Sequence, residues 1–148
     1  MTAGEWIHAY GKSHQNRVNK WIHWFCVPVI SFSVVGFFSL VPIAGWFDAG
    51  DLFLLAMLGY YARLNLRLAV GMLIVAAAIE LCLLLLANTS LPYALTLVGL
   101  FAGAWVLQFV GHAIEGEKPS FFQDVVFLFI GPLWLLANLY DHLRIRYE

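Results

Sequence analysis

Five apolar stretches separated by short polar ones run along the chain: Trp21 to about Val41, Leu52 to Ala62, Leu68 to Ala87, Tyr93 to about Ile114, and Phe121 to Tyr140. A helix rises about 1.5 Å per residue and a bilayer's hydrocarbon core is about 30 Å thick, so about 20 apolar residues cross it. The first, third and fourth stretches meet that length. Leu52 to Ala62 does not, and reads as a half-span or an interfacial helix unless it begins earlier, near Trp46. The last stretch is expected to break at Gly131-Pro132, and Pro28 to bend the first. Between them, Asp48 with Asp51 and then Asn88 to Pro92 mark turns, and Arg63, Asn65 and Arg67 close the short segment.

The pattern predicts an all-α, multi-pass helical membrane protein with four to five membrane segments in one bundle. Only helices and closed barrels satisfy the backbone in lipid, and the strict alternation of barrel strands is absent. No internal repeat or low-complexity linker divides residues 1–148, so one domain is expected, with a polar lead-in over about residues 1–20. Composition agrees: 62% hydrophobic and 11% charged residues, with mean hydropathy +0.81, is far more apolar than the roughly 45–50% of a soluble domain.

Eight basic and nine acidic residues give a net charge of −1, which leaves no basic stripe for nucleic-acid phosphates. Nucleic acid is therefore not an expected partner. Cys26 and Cys82 lie inside apolar stretches without metal or redox spacing and read as packing residues. The first twenty residues lack the short apolar core of a removable signal peptide. The chain is expected in a plasma (inner) membrane if bacterial, or in the endoplasmic reticulum if eukaryotic.

Charge also orients the bundle. Lys12, Arg17 and Lys20, together with Arg63 and Arg67, share the cytoplasmic side if the first two segments both cross. His14, His23, His112 and Glu115 then converge on that side. Arg144 and Arg146 conflict with five full crossings, so either Leu52 to Ala62 or the last segment is re-entrant or lies flat.

The candidate chemistry sits at Gln108 to Pro119, where a histidine and two carboxylates end an apolar run. Ionisable groups at a membrane edge carry a desolvation cost that a partner such as a metal, a proton path or a substrate offsets. At about 100° per residue Gln108, His112 and Glu115 share one helical stripe. Asn16, Asn19 and His23 share another. His14 and His23 would lie on opposite faces of a continuous helix, so the chain must bend between them for both to reach one ion. Imidazole plus carboxylate is a ligand set for non-haem iron, and zinc accepts the same atoms.

The bland alternative makes His23 and His112 interfacial histidines bonded to backbone or headgroups. His8 and His142 read as solvated. Glu80, inside a span, is read as structural, with a proton path as the alternative. Trp21 and Trp24 fit an interfacial aromatic belt. Lys118, Arg17 and Lys20 fit positive-inside residues, one of which could hold a substrate carboxylate. A haem-binding electron carrier with axial histidines and a non-enzymatic adaptor or small transporter remain competing readings.

Two blocks resemble the Mpo1-like family, formerly catalogued as a domain of unknown function: His14-Gln15-Asn16 with Asn19 and His23, and Gln108-Phe109-Val110-Gly111-His112 followed by Glu115, Pro119 and Asp124. The resemblance implies an Fe(II)-dependent dioxygenase that cleaves the C1 to C2 bond of a 2-hydroxy fatty acid, leaving an acid one carbon shorter. It implies His14, His23 and His112 as iron ligands, with Glu115 beside them in the catalytic set. The fourth ligand is Glu115, Glu117, His142 or none, and Asn16, Asn19, Gln108 and Lys118 are candidate substrate contacts. The chain departs from the family pattern at Gln15, where the yeast member has a second histidine, and by a spacing one residue shorter after His112.

Overall fold

The computed structural model describes residues 1–119 and 126–147. Among these the chain forms α1 (Ala3–Gly11), α2 (Arg17–Ser39), a hairpin of β1 (Pro42–Ala44) and β2 (Phe47–Asp48), α3 (Ala49–Leu64), α4 (Leu66–Ala87), α5 (Tyr93–Glu115) and α6 (Phe127–His142). Asp124 and the expected start of the last stretch at Phe121 lie outside the described residues.

Local chemistry sets the helix ends. Thr2 accepts from the Glu5 amide at 3.2 Å while Glu5 accepts from the Thr2 amide at 2.7 Å, a reciprocal cap that starts α1 inside the polar lead-in. Asp48 accepts from the amides of Gly50 and Asp51, and Asp51 accepts from that of Asp48. This second box starts α3 at Ala49, before the apolar stretch itself begins. The antiparallel hairpin turns at Gly45, whose positive φ of 58° suits glycine.

Asn65 alone separates α3 from α4. Its amide donates to the Tyr61 carbonyl, its Oδ1 accepts from Leu68, and its Nδ2 donates to the carbonyl of Tyr147 at 2.6 Å. Arg67 likewise reaches the Arg146 carbonyl. The basic C-terminal tail is thus tied to the α3–α4 junction.

The expected break at Gly131-Pro132 does not occur: α6 continues through it, as α2 does through Pro28. A proline loosens its own turn by removing a donor. The carbonyl that loses its helical donor to Pro132 is that of Leu128, and the Tyr61 hydroxyl ties the same turn to α3 by donating to the next carbonyl, that of Phe129, at 2.6 Å. Burial holds the rest, since Ile130, Leu133 and Ala137 have no exposed surface. One face of α6 packs on α1, and Leu135 and Leu139 look the other way into the bundle.

α2 and α5 are antiparallel partners. Gly36 meets Leu97 towards one end and His23 meets His112 towards the other. Short connections then make α3 and α4 run between the same two ends. Among the described residues three helices, α2, α4 and α5, are long and apolar enough to cross a membrane. α3 and α6 have 16 residues each, or about 24 Å. Exposed Leu73, Ile74, Leu81, Leu84, Val98 and Val106 give α4 and α5 apolar outer faces, as lipid contact requires.

Candidate metal centre

The turn between α1 and α2 supplies the bend that His14 and His23 need to meet. The His14 Nδ1 lies 2.7 Å from the Tyr10 carbonyl, its hydrogen-bond acceptor, and its ring stacks on Tyr10 at 4.2 Å with 8° between planes. One and a half turns into α2, the Nδ1 of His23 is 3.0 Å from the Asn19 carbonyl, one turn back. On α5, the His112 ring has the Glu117 backbone as its partner. Gly116 makes that possible by closing α5 at φ 79°, so that the chain folds back over the helix end.

Each ring is therefore held by main chain at one nitrogen. The other nitrogens, His14 Nε2, His23 Nε2 and His112 Nδ1, are buried and lack a hydrogen-bond partner. The three ligand atoms lie within 4.8 Å of one another, and ring centroids are separated by 4.2, 5.0 and 4.9 Å. Exposure is 0%, 0% and 4%. A buried polar atom without a partner is costly, and three such lone pairs converging in one place suit a divalent cation. A ring N–H anchored by main chain fixes tautomer and ring orientation, as the outer partners of metal-bound histidines do.

Electrostatics favour the ligand form. Burial, with the neighbouring His23 adding to it, holds the His14 imidazole down to about 3. It is neutral at any working pH, with its lone pair available.

Glu115 faces elsewhere. Its carboxylate accepts from the Gln15 amide at 2.7 Å, from the Asn16 amide at 2.9 and 3.0 Å, and from Asn19 Nδ2 at 3.0 Å. An anion at the first turn of a helix meets the positive end of its dipole. Glu115 thus clasps the end of α5 to the start of α2 and fixes the turn that carries His14.

The remaining expected site residues divide. Asn16 caps α2 by accepting from Val18 at 2.8 Å. Asn19 is buried and spends its Nδ2 on Ser13 and Glu115, while its Oδ1 faces Gly111, where a Cβ would overlap it. Gln108 is buried and lines a small pocket with His112, Tyr10, Ser31 and Pro119. Lys118, Glu117, His8 and His142 are exposed, and none belongs to the three-histidine group. Glu80 lies near Asp48 and Asp51, towards the opposite end of the bundle.

Sequence reasoning did not single out Tyr10 and Trp134, whose rings lie 4.2 and 5.3 Å from that of His14. Tyr10 precedes His14 by four residues, the spacing of a helical neighbour, and that was the available signal. Trp134 carries no comparable local mark.

Neither the curated proteins nor the solved structures hold a match for this chain. A family model described as 2-hydroxy-palmitic acid dioxygenase Mpo1-like matches residues 1–143. With all but the last few residues inside that match, and with His14, His23 and His112 gathered at one point, the chain belongs to the Mpo1-like family.

Proposed function

We propose that the chain is an Fe(II)-dependent membrane dioxygenase that converts a 2-hydroxy fatty acid into the acid one carbon shorter, the carboxyl carbon leaving as carbon dioxide and one dioxygen being consumed with formation of water. The observation that carries this reading is the set of three partnerless imidazole nitrogens, each on a ring anchored by main chain. The family description supplies the substrate class.

His14, His23 and His112 would hold the iron. Bound there, it would supply the redox chemistry through which dioxygen oxidises the hydroxyl-bearing carbon, three imidazoles leaving coordination positions open for small oxygen ligands. The protein's own contribution is positioning. Burial of the rings excludes bulk water. Gln108, beside His112, is the carboxamide placed to donate to a substrate carboxylate. Glu115 acts as a positioning residue through the His14 turn.

In the membrane, α2 to α5 make four crossings, with α3 the thinnest, and α6 stays on the histidine side. That side is cytoplasmic by the positive-inside rule, since Arg17, Arg67 and the tail arginines gather there. A haem carrier has less support: axial imidazoles need a porphyrin between them, whereas these rings crowd to 4.2–5.0 Å.

The test is anaerobic purification with metal quantification, then addition of dioxygen and 2-hydroxypalmitic acid. About one iron per chain and release of the odd-chain acid are expected. Stoichiometric zinc with no oxygen-dependent product would sink the reading.

A further inference from the structure

Beyond the small pocket at His112 lies a much larger cavity of about 490 Å³, walled by α2, α3, α4, α5 and α6. This falls in the roughly 300–1,000 Å³ range of small-molecule sites. Its walls offer almost nothing to a polar ligand. The Ser31 hydroxyl donates to the Val27 carbonyl at 2.9 Å, and that of Tyr61 to the Phe129 carbonyl. With those groups committed to main chain, the lining is hydrocarbon and aromatic ring. An apolar pocket of this size, with the exposed rings of Trp24 and Phe38 on its rim, suits a hydrocarbon occupant.

The two spaces meet. Val27, Ile30, Ser31, Trp105 and Leu128 line both of them, so the small pocket that holds His112 and Gln108 adjoins the apolar chamber. At the far end Phe38 of α2 stacks on Phe53 of α3, with centroids 5.0 Å apart. From Val27 to Phe38 α2 climbs eleven residues, about 16 Å. One leaflet of a bilayer, half of about 30 Å, is about 15 Å deep, so the chamber has the length of one lipid chain.

We infer that this chamber is the binding site for the acyl tail of the fatty acid whose head lies at the histidines, and that the Phe38–Phe53 pair is the stop that sets its chain length. The inference rests on the proposed action on a 2-hydroxy fatty acid for the identity of the head. The tail site itself stands on the cavity, its apolar lining and the wall it shares with the His112 pocket. Ala76 on α4, nearly buried and part of the chamber wall, marks where added bulk shortens the space. Phe38 marks where removal lengthens it.

Binding is measured on purified, metal-free protein in detergent by displacement of a fluorescent fatty acid with saturated fatty acids of graded length. The wild type is expected to show an optimum length. Ala76→Phe moves it shorter and Phe38→Ala longer, each methylene that no longer fits lowering affinity about fourfold. Turnover of 2-hydroxy acids of the same lengths is read in parallel on iron-loaded protein. Affinity indifferent to length, or an optimum unmoved in both folded variants, overturns the chamber. Turnover persisting with an unshifted profile overturns it while leaving the proposed reaction intact. Shifted binding without turnover of any 2-hydroxy acid keeps the chamber and removes the reaction. Equal displacement by a phospholipid carrying the same tails overturns selection of a free fatty acid.

Discussion

The two ends of the α2–α5 pair use one device for different purposes. At one end Gly36 lets the Leu97 and Leu83 methyls approach to where its Cβ would stand, at 2.8–2.9 Å, and the neighbours there are apolar. At the other end Gly111 admits Asn19 Oδ1, and the neighbours are imidazoles, a carboxamide and a carboxylate. Closeness at the first end gains packing. At the second it orients lone pairs, because Asn19 anchors His23 through its carbonyl and touches Glu115 through its side chain. Metal binding and fold stability should therefore respond separately to changes at the two ends.

The hardest blow to that separation is His23→Ala, or equally His112→Ala. Either should remove bound metal and bring turnover to background while the protein still inserts, as metal analysis and membrane fractionation would read. Full activity in either purified variant would take these residues out of the mechanism. Next comes Glu115→Ala, which leaves the Gln15 and Asn16 amides without their acceptor. Loss of an outer partner lowers metal affinity about 10–100-fold, and titration with Fe(II) should show that loss, with Glu115→Gln milder.

Gly111→Ala forces Asn19 aside and should weaken metal binding together with stability. Gly36→Ala is the paired control. Overpacking there should cost about 1–3 kcal/mol, seen as a lower melting temperature, with metal per folded chain unchanged. Equal metal loss from both glycine variants would collapse the distinction. The gentlest probe is chelation, which should lower the wild-type melting temperature by removing a ligand that binds only the folded state and leave that of His23→Ala where it was.

Much of this was legible along the chain. The helical stripe of Gln108, His112 and Glu115, and the placing of His23 at the start of the first long apolar run, bring both histidines to one end by topology alone. The need for a bend before His23 is met by the turn ahead of Arg17. Hydropathy could not show α1, a short helix whose burial depends on α6, although the Thr2–Glu5 spacing signals its start. Nor could it show that α6 survives Pro132, because the packing and the Tyr61 hydroxyl that hold that turn come from residues remote in sequence. A carboxylate next to histidines suggests a ligand, but the amides that take up Glu115 come from the opposite end of the chain. No local pattern encodes such partners.

The Glu115 clasp joins residues 96 to 100 positions apart. Until α5 is made, His14 and His23 have no third imidazole and no carboxylate to pin the turn between them. Completion of the fifth helix is thus what assembles the three-histidine centre, and a truncated chain ending before it should bind no metal there.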